Sequence, residues 1–357
     1  MDIENRFDLI KQVGEEILTE EELKHLLHTK EHPITYDGFE PSGTDIHIAQ
    51  GILRAININK MAKAGIRFKM LVADWHAWAN NKMGGDLEKI QTVGKYMIEV
   101  WKHCGMDLKH VEFIWANDFV KEPEYWKKVM QVARNSTVNR IVRTGQIMGR
   151  KEAEVQQASQ ILYPCMQCAD IFQLEADITQ LGMDQRKVNV LARELGPSLG
   201  LWKPVVVSHH MLMGLGEPPK TKDIDRVIDL KMSKSRPNTA IFMNDSEEDI
   251  KRKISKAYCP SKVVEENPIL EYCRFLVFEK FSTLEIKRSE KFGGDLAIEN
   301  YKELEKLYSE GKIHPMDLKN SVASYINEMV NPVREAFQKD QKLKHLLETI
   351  KKFEVTR

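Results

Sequence analysis

Ile34-Thr35-Tyr36-Asp37-Gly38 is a short apolar run that closes on a glycine turn, and the stretch after it carries His47 through Met61 at helical spacing. Phe68-Lys69-Met70-Leu71-Val72-Ala73 then reads as a second strand, ending at Asp74. Val111-Glu112-Phe113-Ile114-Trp115, Ile178 to Gly182 and Val205-Val206-Val207 supply three more, with longer helical patterns between them. Strand, helix, strand at these lengths predicts an α/β fold with a parallel sheet of Rossmann type. Ligands of such sheets sit at the carboxyl ends of the strands, where His47, Asp74 and Gln185 fall.

The pattern changes beyond residue 244. Asp245-Ser246-Glu247-Glu248-Asp249 reads as a helix start, with Ser246 as cap and Asp249 at the third helical position. From there to Arg357 the sequence is helical and charged, punctuated by Gly293-Gly294 and His314-Pro315. The expected division is a Rossmann-type domain over 1–213, a linker over 214–244 and an α-helical C-terminal domain over 245–357. A chain of 357 residues suits this pair of domains.

Phe7, Ile10, Val13 and Ile17 predict an amphipathic N-terminal helix rather than a signal peptide, and no apolar run approaches membrane-spanning length. A cytoplasmic location is expected. The formal net charge is zero, so any nucleic-acid contact must come from local patches. Candidates are Arg140, Arg143, Arg150 and Lys151, then Lys251, Arg252, Lys253 and Lys256, each cluster taken alone reading first as a solvated helix face rather than an RNA surface. Cys165-Met166-Gln167-Cys168 has a metal-like spacing, yet no second such pair exists to complete a site. These are read as thiols packed along a helix, and no metal centre is expected.

Lys231-Met232-Ser233-Lys234-Ser235 places two lysines on a Ser-containing loop, suited to polyphosphate, with Gly214 and Gly216 upstream as hinge candidates. His47-Ile48-Ala49-Gln50 places a histidine at a helix start, where a phosphate is held well. Either alone reads as a solvated loop or a structural histidine. In this order and at this distance they resemble the paired motifs of class I aminoacyl-tRNA synthetases, which make aminoacyl-adenylate and pyrophosphate from an amino acid and ATP. The resemblance implies catalytic His47, Lys231 and Lys234. It also implies an ATP site of Gly38, His47, Lys231, Met232, Ser233, Lys234 and Ser235, with Mg²⁺ accompanying the nucleotide. Ala49 and Gln50 depart from the full His-Ile-Gly-His form, which leaves the role of Gln50 open.

Tyr163, Gln167 and Asp170 are spaced i, i+4, i+7 and so share one face of a helix read as beginning at Pro164. Their chemistry suits a small zwitterion bearing a phenol. Asp170 can accept the phenolic proton, Tyr36 can donate to the same oxygen, and Gln167, Tyr163 and Gln185 can hold the ammonium group. Tryptophan is the rival: its N–H also suits Asp170, but it offers Tyr36 no acceptor. Asp74 and His76 read equally as pocket groups or as a cap and a structural histidine.

Tyr36-Asp37-Gly38-Phe39-Glu40-Pro41-Ser42-Gly43, Ala73-Asp74-Trp75-His76-Ala77, Tyr163-Pro164-Cys165-Met166-Gln167 and Asp184-Gln185-Arg186-Lys187 together resemble tyrosyl-tRNA synthetases of the archaeal and eukaryotic type. The likeness continues through Ala257-Tyr258-Cys259-Pro260 and His314-Pro315-Met316-Asp317-Leu318-Lys319-Asn320-Ser321-Val322. It implies that Tyr36, Tyr163, Gln167, Asp170 and Gln185 bind tyrosine and that Gly182 and Asp184 lie near the ribose. It implies a tyrosine–tRNA ligase whose helical domain reads the anticodon of tRNA(Tyr) through Asp317 and a stacking Phe292. Arg143 (Arg140 as the alternative) and Arg186 are placed near the acceptor end, and a homodimer is implied. The other reading, a synthetase-like protein without catalysis, would fit a chain lacking His47, Lys231 or Gln185. All three are present.

Overall fold

The computed structural model describes residues 1–149, 157–220 and 230–354, so Arg150 and Lys151 of the first basic patch lie outside the described residues. Its centre is β2 (Ile34–Phe39), which runs parallel to β3 (Arg67–Val72) on one side and β5 (Ile178–Thr179) on the other. Outside these lie β4 (Val111–Trp115), parallel to β3, and β6 (Val205–His209), parallel to β5. Phe68, Met70, Leu71 and Val72 of β3 are all buried, as a strand covered on both faces requires. The crossover from β2 to β3 runs through the helix Arg54–Lys63, and that from β5 to β6 through Arg186–Ser198.

A sixth strand, β1 (Gly14–Leu18), completes the order β1-β6-β5-β2-β3-β4 and pairs antiparallel with β6. This corrects the N-terminal reading. The amphipathic helix spans only Ile3–Lys11, capped by Asp2 and burying Phe7 and Ile10. Ile17 lies instead in β1, opposite Val207. The strand is half-buried and carries Glu15 and Glu16, so its apolar signal is weak. The sheet is therefore mixed, with one antiparallel edge.

Three further boundaries move. His47 precedes its helix: its carbonyl accepts from Gln50 and Gly51, a π-helical turn follows over Ala49–Leu53, and the α-helix begins at Arg54. The helix bearing Asp170 spans Ala158–Gln173, with Pro164 inside it rather than at its start. Proline lacks an N–H and cannot donate to the carbonyl four residues back, which makes it uncommon inside a helix. The C-terminal region is not wholly helical either. A hairpin of β7 (Leu284–Ile286) and β8 (Leu296–Ile298) interrupts it, with Gly293 and Gly294 at φ 95° and 70° in its loop.

Ser246 caps Glu247–Ser255 as read, accepting from the Asp249 N–H at 3.1 Å. The long helix Pro315–Lys339 carries Phe337, whose ring meets Tyr96 of the helix Leu87–His103 edge-on at 5.4 Å. One hydrophobic core thus runs from Ile52 and Tyr96 to Ile326 and Phe337. Strand order reverses direction between β2 and β5, and the crevice at a reversal is where such sheets bind ligands.

Candidate active site

A cavity of about 250 Å³ opens at that reversal. Tyr36, Gly38, His47, Tyr163, Gln167, Asp170, Gly182, Asp184, Gln185, Lys231 and Met232 all line it, although they come from both halves of the sheet and from the lysine loop after β6.

One end is aromatic and closed. Asp170 is fully buried, and the Tyr125 hydroxyl donates to its Oδ1 at 2.9 Å. His76 Nε2 lies 2.8 Å from Asp170 Oδ2, at ion-pair distance but off the line of a good hydrogen bond. Burial opposes a charge on His76, yet the Asp170 carboxylate more than offsets it and holds the imidazole above its ordinary range. Burial, with Asp170 and Asp37 adding to it, pushes the Tyr36 phenol well up, so Tyr36 stays protonated and can donate. Tyr163 meets the His76 ring edge-on at 5.2 Å. Beside it, Gln167 Nε2 donates to Gln185 Oε1 and Gln185 Nε2 donates to the Ile147 carbonyl, both at 3.0 Å. The buried Gln167 Oε1 accepts nothing from the described residues and remains free for a ligand donor. Tyr125 belongs to the helix Pro123–Arg134 and was missed by sequence reasoning, because no spacing rule connects it to Asp170.

The other end is cationic. Burial lowers the His47 pKa well below its usual value, and Lys234, Lys231 and Arg54 lower it further, so the ring is neutral. The Gln50 N–H approaches His47 Nδ1 at 3.4 Å, which leaves the proton on Nε2 for donation. Ile48 N donates to the Ile241 carbonyl and Met243 N to the Ile46 carbonyl, both at 2.9 Å, stitching the His47 segment to the chain just past the lysine loop. Lys231 Nζ pairs with Asp184 at 2.6 Å, and Lys234 Nζ donates to the Ser42 carbonyl at the cavity wall. Ser233 and Ser235 bond to each other at 3.0 Å and do not line the cavity. A Cβ at Gly182 would press on Met211 Sδ and come within 2.7 Å of Asp184 Oδ1, so a side chain there requires both to shift. Arg54 Nε pairs with the buried Asp37 at 2.8 Å, a second group not read from the sequence. Burial raises Asp37 to about 6 even against that guanidinium.

Asp74 resolves toward structure. Its Oδ1 accepts from Trp75 N and Asn117 N, and its Oδ2 from Gln91, so it clamps three elements from outside the cavity. Arg143 and Arg186 lie apart from the cavity, both exposed, the first linked through its carbonyl to Lys187 and the second paired with Glu16 at 2.8 Å. Asp317 sits in the first turn of Pro315–Lys339. Phe292 ends a short turn before the hairpin loop, and its side chain lies outside the described residues. Cys165 and Cys168 are buried in their helix, and burial pushes the Cys165 thiol to about 11.

The family of class I tRNA synthetases for tryptophan and tyrosine matches residues 28–331. Tyrosine–tRNA ligase 1, cytoplasmic, of Arabidopsis thaliana is 49% identical over 359 residues, covering 100% of this chain and 90% of that protein. The tyrosine–tRNA ligase of Saccharolobus solfataricus is 41% identical, covering 99% and 98%. The crystal structure of tyrosyl-tRNA synthetase with L-tyrosine from Pyrococcus horikoshii has a TM-score of 0.90 at 38% identity, covering 98% and 100%. A tryptophanyl-tRNA synthetase of Plasmodium falciparum shares the fold, with a TM-score of 0.67 at 17% identity. A Rossmann-type sheet with this cavity and these matches defines the class: the chain belongs to the class I aminoacyl-tRNA synthetases of the tryptophan and tyrosine family. Within that family it is a tyrosyl-tRNA synthetase of the archaeal and eukaryotic type, a tyrosine–tRNA ligase.

Proposed function

We propose that the chain condenses L-tyrosine with ATP to tyrosyl-adenylate, releasing pyrophosphate, and then passes the tyrosyl group to the 3′ end of tRNA(Tyr). One observation carries the assignment of roles: a single cavity joins a closed end built around Asp170 and Tyr36 to an end bearing His47 and Lys231, and Lys234 donates to the carbonyl of Ser42 on its wall. The substrate phenol lies between Tyr36 and Asp170, and the ammonium group meets Tyr163, Gln167 and Gln185. The tyrosine carboxylate attacks the α-phosphate in line as the bond to pyrophosphate breaks. His47 Nε2–H donates to a phosphate oxygen, and Lys231 and Lys234 neutralise the leaving pyrophosphate. Positioning and charge supply such catalysis without a covalent nucleophile. A ribose hydroxyl donating to Asp184 takes the acceptor that Lys231 uses and frees that ammonium for phosphate.

Mg²⁺ comes in on the nucleotide phosphates. Among the described residues no group of three His, Cys, Asp or Glu side chains is arranged to hold a metal by itself. The test is ATP–pyrophosphate exchange with tyrosine, tryptophan and phenylalanine side by side. Exchange driven by tyrosine alone is expected. Exchange driven by tryptophan would reverse the assignment of Tyr36 and Asp170, and no exchange from folded protein would favour a binding role.

Tyr125→Phe should raise the KM for tyrosine about 3- to 10-fold with kcat little changed, since it removes one hydrogen bond to the Asp170 carboxylate. An equal loss in kcat would move Tyr125 into the chemical step.

The tRNA assignments rest on the family likeness. The region 245–357 reads the anticodon, with Asp317 accepting from a guanine edge and Phe292 stacking. Arg143 and Arg186 face the acceptor end, and Lys187, which bonds to the Arg143 carbonyl, extends the same basic rim. Asp317→Ala should slow charging of tRNA and leave pyrophosphate exchange intact; equal loss in both assays would mean a folding defect. We place the chain in the cytoplasm as a homodimer. No helix among the described residues is long and apolar enough to cross a membrane, and exposed Met130, Val138, Ile161 and Leu162 on neighbouring helices offer apolar surface for a second copy.

A further inference from the structure

His210 follows β6 at the rim of the cavity. Its Nδ1 bonds to Glu15 Oε2 on β1 at 2.6 Å, and its Nε2 lies 3.0 Å from Glu271 Oε1 on the short helix Pro268–Tyr272, at ion-pair distance but off the line of a good hydrogen bond. The ring also stacks on Phe275 at 4.3 Å and 8°. Ionised carboxylates only accept, so a ring facing one at each nitrogen is suited when both nitrogens carry protons. Burial opposes that charge, and Glu15 and Glu271 outweigh it, pushing the imidazole up to about 9. One imidazolium thus joins the antiparallel edge of the sheet to the helical region.

Glu271 has a second duty. The same Oε1 accepts from the Met213 N–H at 2.6 Å, and the neighbouring Tyr272 hydroxyl donates to the Met213 carbonyl at 3.1 Å. Met213 in turn is the antiparallel bridge partner of Lys231. On either side of that bridge, Gly214 N donates to Leu230 O at 2.9 Å and Met232 N to Leu212 O at 2.8 Å. The path from His210 to Lys231 is therefore continuous: imidazolium, shared carboxylate oxygen, Met213 amide, backbone bridge, lysine.

We propose that His210 is a positioning residue for Lys231: held between Glu15 and Glu271, it fixes the Glu271 carboxylate against Met213 and so sets where the lysine loop leaves the sheet. The proposal rests on the reading of Lys231 as a phosphate-binding group. Without the cation, Glu15 and Glu271 lose their shared counter-charge, and only the Met213 N–H still holds the Glu271 carboxylate. Misplacement of a catalytic group by about 1 Å is enough to slow chemistry from a distance.

Two substitutions separate this role from packing. His210→Phe keeps the stack on Phe275 and loses the charge; His210→Lys keeps the charge and loses the stack. In tyrosine-dependent ATP–pyrophosphate exchange, His210→Phe should lower kcat about tenfold with the KM for tyrosine within about twofold, and His210→Lys should recover most of the loss. Adding His210→Phe to Lys231→Ala should cost little beyond Lys231→Ala alone, because both act on one group. Full kcat in His210→Phe would overturn the proposal, whatever its melting temperature. So would a loss that His210→Lys does not restore, or effects that multiply in the double variant. Absence of exchange in the unaltered enzyme would instead overturn the functional reading itself, and this inference with it.

Discussion

Lys234→Ala should slow tyrosyl-adenylate formation by about 10²–10³-fold while leaving the KM for tyrosine almost unchanged, the signature of a group that acts on developing charge. The lysine sits where this is possible. Its Nζ donates to the Ser42 carbonyl at the cavity wall, and burial pulls its pKa down to about 8 despite the nearby carboxylates of Asp45 and Glu40. The protonated form carries the charge, and it predominates below that value. In the free enzyme, kcat/KM for ATP should therefore fall as pH rises through about 8. Lys234→Arg should lose that limb, because a guanidinium stays charged across the range. Pyrophosphate exchange measured across pH with both variants checks the claim. A raised KM for tyrosine with an intact rate would place Lys234 in substrate binding instead.

Asp170→Asn should collapse the preference for tyrosine over phenylalanine. A site built to bond a substrate hydroxyl rejects the analogue lacking it by about 10⁵, a magnitude established for this enzyme class itself, and the variant should forfeit about 10³ of it. The carboxylate is the centre of the closed end: Tyr125 donates to one oxygen, and His76 stands 2.8 Å from the other. The amide keeps the shape but removes the charge that both neighbours face. The ratio of kcat/KM for the two amino acids is the measurement, with a thermal melt to exclude unfolding. An unchanged ratio in folded protein would mean that Tyr36 alone reads the hydroxyl.

The parallel core of this fold was readable because β3 and β6 each hold three consecutive apolar residues, Met70-Leu71-Val72 and Val205-Val206-Val207, as strands covered on both faces do. β1 was not readable. It is an edge strand with two glutamates, and Ile17 happens to continue the spacing of the preceding helix. Pro164 misled for the opposite reason, since a residue that usually opens helices sits within one here. β7 and β8, with three residues each, fall below the length at which alternation can be recognised. In the site, Tyr163, Gln167 and Asp170 could be grouped because they share one helix and its period. Tyr125 and Arg54 come from two other helices, and no period connects separate elements, whereas His76 was already a candidate from its place just past β3. The role of the first turn after His47 was likewise hidden, because a π-helical turn and a bridge to Phe242 leave no pattern in the residues.

The antiparallel edge has a consequence for how the chain is made. Leu18 pairs with Val206, so the sheet's first-synthesised strand waits for its last. At ordinary ribosomal speeds of about 5–20 residues per second, that wait is on the order of 10–40 s. Throughout it, β1 has no partner, while β2, β3 and β4 can already assemble. The N-terminal segment is thus the part of the nascent protein most open to mispairing and to chaperone capture. Only when β6 leaves the ribosome does Glu15 meet His210, so the sheet closes first, and the clamp beside the lysine loop is completed later, when Glu271 follows.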